Sequence, residues 1–117
     1  MNRPVEEVLG SMLSMFGPEA TPDPKLVFTE EDFAPLPDGV TLEYIRPLSG
    51  GTQMLLKYGE NENQKLSIIR HRGSYGHQRG LFEYWDFTQE DVMGHVTLMD
   101  VRAKIARLVP LEGEFRA

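Results

Sequence analysis

The chain contains no cysteine. Disulfide cross-links and thiolate chemistry are therefore excluded, and the core must form without covalent staples. It has no apolar run near the roughly 20 residues that a membrane-spanning helix needs. No secretion signal is visible either, because the opening "MNRPVEEVLG" puts two glutamates where the apolar stretch would stand. The expectation is a cytoplasmic protein with no membrane contact. Tryptophan is nearly absent: Trp85 is the only one. Internal repeats and low-complexity tracts are missing as well.

What is present is an ordinary globular composition, with 40% hydrophobic and 26% charged residues in 117. That length fits one compact domain. The net charge of −6 is uneven. Residues 1–63 hold eleven acids and four bases, whereas residues 64–117 hold seven acids and eight bases. An acidic chain is repelled on average by nucleic acid and by anionic membranes, so any nucleic-acid contact would need a local basic patch.

Four parts follow from the patterning. Residues 1–17 read as an amphipathic helix. Pro4 suits a first turn, and Val5, Val8, Leu9, Met12 and Phe16 form one apolar stripe ended by Gly17-Pro18. Residues 18–38 read as an extended, proline-rich linker, because residues 17–38 hold five of the eight prolines. One helical turn is expected at "TEEDF", with Thr29 as its N-cap. Residues 39–110 carry the sheet and a helix, and residues 111–117 read as a tail.

Within 39–110 the period is two. "VTLEYIRP", "TQMLLKYG", "QKLSIIRHR" and "LFEYWDF" are four strand-like runs separated by turn signals. In the first run, Val40, Leu42 and Tyr44 alternate against Thr41 and Glu43. "DVMGHV" is a short extended piece. Thr97 then reads as an N-cap with Asp100 three residues on, and Leu98, Val101, Ile105 and Leu108 make a helical stripe stopped by Pro110. The fold class expected is α+β: a four-stranded antiparallel meander with a C-terminal helix on one face. The N-terminal helix would ride on the extended arm. It would cover the opposite face of the sheet, or exchange onto a second copy and make a homodimer.

Candidate functional residues concentrate in "RHRGSYGHQRGLFEYWDF", residues 70–87. Gly73, Gly76 and Gly80 fit a hairpin loop, since strand material rather than a helix follows; this argues against a phosphate-cradling loop. Arg70, Arg72 and Arg79 with His71 and His77 form the most basic window, with Tyr75 at its centre. Arginine beside an aromatic is a recipe for phosphate contact with base stacking; a solvated hairpin tip whose arginines pair with the acidic N-terminal half is the plainer reading. Tyr84 and Trp85 point to opposite faces of their strand, so both faces are covered or one ring stays exposed for an interface. The binding candidates are thus Arg70, Arg72, Tyr75, His77 and Arg79 at the loop tip, and Met12, Phe16, Tyr84 and Trp85 as interface residues.

No catalytic or metal residues emerge. His71 and His77 lack helical zinc spacing, and Glu83 and Asp86 fall on opposite faces. Ser74 beside His71 and His77 is the sole Ser/His grouping and has no orienting acid. No cofactor is expected.

Ser74-Tyr75-Gly76, Gly80-Leu81-Phe82-Glu83, and Gly94 with Thr97, Asp100 and Val101 carry a resemblance. Over roughly residues 64–109 the chain resembles small bacteriophage and prophage proteins with a "SYG…GL(F/Y)E" hairpin followed by a terminal helix. That resemblance implies a phage-encoded accessory protein working in the host cytoplasm, and no particular activity. The basic "HQR", the proline linker and the N-terminal helix depart from the pattern. The expected function is a non-enzymatic binding protein acting by contact with a host or phage protein, or with itself. Nucleic-acid binding through 70–79 is the alternative. A third is an acidic inhibitor imitating nucleic acid, although the eleven acids are scattered rather than aligned on one face.

Overall fold

The computed structural model describes residues 21–108. The expected N-terminal helix with Met12 and Phe16, the stop at Pro110 and the tail all lie outside these residues.

Strands β1 (Thr41–Leu48), β2 (Gly51–Tyr58), β3 (Gln64–Arg70), β4 (Phe82–Asp86) and β5 (Met93–Val96) precede one helix, α1 (Leu98–Ala106). They form one antiparallel sheet in the order β1-β2-β3-β4-β5, a meander. The class is α+β, as expected, but the sheet has five strands rather than four. The fifth is the extended piece after "DVMGHV" begins. At four residues it carries too little alternation to read as a strand alone. Pairing with β4, Phe82 to Val96 and Tyr84 to Met93, makes it one.

The period-two pattern sends one side of each strand towards α1. Met54, Ile68 and Tyr84 lie opposite one another across β2, β3 and β4, and Leu56 and Leu66 do the same one step along. These residues join Phe82, Val96, Val101, Ile105 and Leu108 in a single core. Met54, Leu56, Leu66, Ile68 and Val101 are wholly buried, and each such side chain contributes roughly 1.5–3 kcal/mol over leaving it exposed. The helix starts as the sequence predicts. Asp100 N–H donates to Thr97 Oγ1, and Thr97 N–H donates back to the Asp100 carboxylate.

Two expectations are corrected. The described part of the proline-rich stretch, residues 21–38, is packed and is no free spacer. Leu26, Phe28 and Phe33 are buried, and the Phe28, Phe33 and Phe82 rings meet edge to face at 5.3–5.7 Å. Proline restricts the backbone there, but three large apolar side chains drive the segment onto the open end of the core. Its single turn, Glu30–Asp32, is where the sequence places it, with Thr29 N–H donating to Asp32 Oδ2.

The second correction concerns Tyr44. Simple alternation puts it beside Val40 and Leu42. A bulge between Leu42 and Tyr44 sets Leu42 opposite Leu56 but Tyr44 opposite Leu55. One extra residue exchanges the faces of everything beyond it. Tyr44 therefore projects away from the helix.

Candidate binding surface

The Gly-rich segment after Arg70 links β3 to β4 as the sequence predicts, with one tight turn at His77–Arg79. Its charges are not all at the tip. The Arg70 guanidinium is folded inward: Nε donates to Leu26 O, Nη2 to Val27 O and Nη1 to Gly80 O, at 3.1–3.2 Å. It also lies 4.3 Å from the Phe82 ring centroid. Burial lowers its pKa, but a guanidinium stays charged there. Arg72 donates to Thr21 O at 2.6 Å and approaches the Asp23 carboxylate at 4.0 Å. Both arginines tie the proline-rich stretch to the sheet. The expectation of a solvated charge fails for Arg70, whose fixed donors are taken by nearby main-chain carbonyls, whereas Arg72 makes the expected pairing with the acidic N-terminal half through Asp23. Arg79 and Tyr75 are exposed as expected.

The histidines are likewise engaged. His71 Nδ1 accepts from Gly73 N–H at 2.9 Å, and His77 Nδ1 lies 2.7 Å from Ser74 O. Burial lowers the His71 pKa, with Glu83 opposing the shift and His77 adding to it. The Ser74 hydroxyl donates to the His71 carbonyl and accepts the His71 N–H. It faces main chain, not an imidazole nitrogen, so the Ser/His grouping is a turn and no nucleophile–base pair.

Two strongly perturbed groups, Asp86 and Tyr58, meet on the helix side. Asp86 Oδ1 accepts from the Tyr58 hydroxyl at 2.6 Å and from the N–H and hydroxyl of Thr88; its Oδ2 lies 2.9 Å from Lys104 Nζ. Burial pushes the Asp86 pKa up, and this full set of donors overrides it, taking the carboxyl from 3.8 to about 2. Burial, then the bond to Asp86, raises Tyr58 to about 12. A carboxylate engaged at both oxygens and a phenol held protonated make a clasp, joining β2, β4 and α1. A cleft of about 540 Å³ opens beside it, lined by Tyr84, Asp86, Glu90, Asp91, Met93 and Lys104 among others. Among the described residues, no group of three or more His, Asp or Glu could hold a metal ion.

The quoted loop motif and the later "MGHVTLMDV" meet in space. Pairing of β4 with β5 carries one extra residue on β5 between Met93 and Val96, where His95 takes a left-handed backbone, φ 57°. Its ring stacks on Tyr75, with centroids 6.2 Å apart. Gly94 permits this contact: a Cβ there would lie 2.7 Å from Tyr75 Cβ. Glu83 accepts the Tyr75 N–H at 3.0 Å. Tyr75 is thus held on three sides yet remains 66% exposed.

Glu83 and Trp85 project from β4 on the face opposite α1. Register defines what shares that face. Tyr44, Leu55, Ser67 and Trp85 lie directly opposite one another across β1 to β4. Phe87 stands next to them, its ring centroid 4.3 Å from that of Trp85. Arg46, Gln53, Ile69 and Glu83 form the next row on one side, and Lys57 and Lys65 the row on the other. Tyr44, Trp85 and Phe87 are 36–46% exposed. Tyr84 is buried in the core, which removes it from the interface candidates and leaves Trp85 in place. Tyr44, Phe87 and His95 were missed as binding candidates. Phe87 was legible as part of the aromatic run; Tyr44 required the bulge, and His95 required the β4–β5 pairing.

No protein-family model, curated protein or solved structure matches this chain. Among the described residues no helix is long and apolar enough to cross a membrane.

Proposed function

We propose that this chain is a non-enzymatic binding protein, encoded by a phage or prophage, that contacts another protein through the sheet face opposite α1. The observation that carries the reading is the gathering of exposed rings there: Tyr44, Trp85 and Phe87 on the face, and Tyr75 at its rim beside Glu83. Large apolar side chains grouped on an exposed surface are the informative departure from ordinary burial, and aromatic residues dominate interface energetics. The resemblance in the loop supports the phage origin and the accessory role.

The same geometry weakens the alternatives. Nucleic-acid binding through 70–79 retains Arg79, but Arg70 and Arg72 serve the fold. An acidic mimic needs a line of carboxylates, whereas the outward face carries Lys57, Lys65 and Arg46 beside Glu43 and Glu83. Catalysis lacks a nucleophile–base pair in the loop, and Asp86 is engaged with Tyr58, Thr88 and Lys104.

The test is affinity capture from host lysate with surface variants. Trp85→Arg and Tyr75→Arg should each remove a specifically captured protein. Met99→Arg, at a 67% exposed helix position away from this face, should not. Capture that all three variants retain would refute the reading. A salt-sensitive nucleic-acid complex lost on Arg79→Glu would replace it.

A further inference from the structure

Strand β1 is an edge of the sheet: among the described residues, only β2 pairs with it. Six of its eight residues are exposed, whereas six of the eight in β2 are buried. Tyr44 and Ile45 project to opposite faces of β1 and are 36% and 38% exposed. An edge with unpaired main-chain groups is a template for another strand unless something blunts it. The other edge, β5, has four residues and an irregular pairing, so it is the poorer template.

Two features blunt β1, and together they leave one window. Leu48 and Gly51 flank a two-residue turn as a hydrogen-bonded pair. Alternation then points the main-chain groups of Pro47 and Ile45 away from β2. Pro47 has no N–H to offer. Towards the other end, the bulge between Leu42 and Tyr44 breaks the ladder at Glu43. Between them, Ile45 presents both a donor and an acceptor in regular strand geometry. The bulge also sets Glu43 and Tyr44 on the same outward face: Glu43 reaches Lys65 at 2.7 Å, and Tyr44 stands opposite Leu55. Arg46 shares that face. Its Nε donates to Gln53 at 2.7 Å, and its guanidinium lies 5.7 Å from the Tyr44 ring centroid.

We propose that two copies of this chain pair antiparallel through their β1 edges, with a two-fold axis at Ile45. Such a contact is isologous, so every interaction occurs twice. Ile45 of each copy exchanges its N–H and C=O with Ile45 of the other. Arg46 of each copy faces Glu43 and Tyr44 of the other, so a cation meets a carboxylate and a ring. Each Pro47, lacking a donor, lies opposite the other copy's Glu43, where the ladder is already broken. Neighbouring registers fit worse. A slide of two residues one way sets the two Arg46 side chains directly opposite each other, a like-charge pair. The same slide the other way sets Ile45 against the bulge. Once β1 is paired, the remaining edges are the short β5 strands, so assembly stops at two. The pairing puts both outward faces on one side and doubles the aromatic surface offered to a partner. It concerns the edge and not that face, and failure of either reading leaves the other standing.

The chain has no cysteine, so a single introduced one reports on register. In a hydrogen-bonded pair the two Ile45 Cα atoms are about 5.5 Å apart, within disulfide range. Under mild oxidation of the full chain, Ile45→Cys should give a cross-linked dimer. Thr41→Cys, whose two copies would stand more than about 20 Å apart, should not. Any other pattern would overturn the proposal. In sedimentation, the unmodified chain should rise from the mass of one chain to that of two as concentration increases. Ile45→Pro removes the outward donor without touching a β1–β2 bond and should hold the mass at one chain. A chain monomeric at every concentration, or a dimer that Ile45→Pro leaves intact, would refute the pairing. A monomer that loses a captured partner on Ile45→Pro would refute it in favour of a strand from another protein.

Discussion

The two faces of this sheet are built from the same strands and differ in what finishes them. On the helix side, apolar rows from β2, β3 and β4 stack several deep, and α1 with the 26–33 segment closes over them. Even the charge there is closed, since Asp86 has its donors in Tyr58, Thr88 and Lys104. On the outward side one apolar row stands between polar rows, and its rings keep a third to a half of their surface exposed. Alternation along a strand decides which residues go to which side. Depth of apolar rows decides which side becomes a core and which remains a surface.

Substitutions should therefore separate the faces by size and kind of effect. The largest is expected at the clasp. Asp86→Ala strands the Lys104 ammonium and the Tyr58 hydroxyl, and should cost about 3 kcal/mol in denaturant-induced unfolding. A loss below about 1 kcal/mol would show the clasp to be idle.

Acid should act on the same face. The Asp86 carboxyl is depressed in the fold, so its contribution is complete above its usual 3.8 and is lost as pH falls through about 2. At about 1.4 kcal/mol per unit this is roughly 2 kcal/mol, visible as a drop in unfolding free energy between pH 4 and 2 that Asp86→Asn lacks. Tyr58 gives the opposite arm. Its pKa is raised to about 12, so stability should also decline as pH climbs from 10 towards 12.

Gly94→Ala tests the rim of the outward face. Its Cβ would meet Tyr75 Cβ at 2.7 Å, so Tyr75 must leave His95, at a cost of about 1–2 kcal/mol. Loss of the ring-current shift between the two rings, read by NMR, would mark the displacement; its retention would contradict the packing described. Thr97→Ala removes a cap and should cost about 1 kcal/mol by thermal unfolding. The smallest stability effect is expected at Trp85→Arg, about 1 kcal/mol or less, although this change should remove binding. A large loss of stability there would make the outward row a second core and end the comparison.

Much of this was legible from residue order. The hairpin character of "GSYGHQRG", the helix with its Thr97 cap, and the separation of Tyr84 from Trp85 all follow from local rules that the structure bears out. Glu83 and Asp86 also fall on opposite faces, as their spacing requires. The misses share a cause. Tyr44 changes face through an extra residue that no alternation count reveals. Arg70 looks like a solvated charge until the Leu26 and Val27 carbonyls, from 44 and 43 residues earlier, accept its hydrogen bonds. Leu26, Phe28 and Phe33 sit among prolines that argue for an extended arm, and only an unfilled end of the core gives them a place.

The order of residues by itself determined the periods, the turns and the capped helix, because each depends on neighbours a few positions apart, and composition alone removed thiol and disulfide chemistry. The tertiary structure decided the fifth strand, the inward turn of Arg70, the Tyr58–Asp86–Lys104 clasp and the meeting of Tyr75 with His95. Those depend on which distant segments come together, and a bulge of one residue or a few apolar side chains in a linker is enough to redirect them.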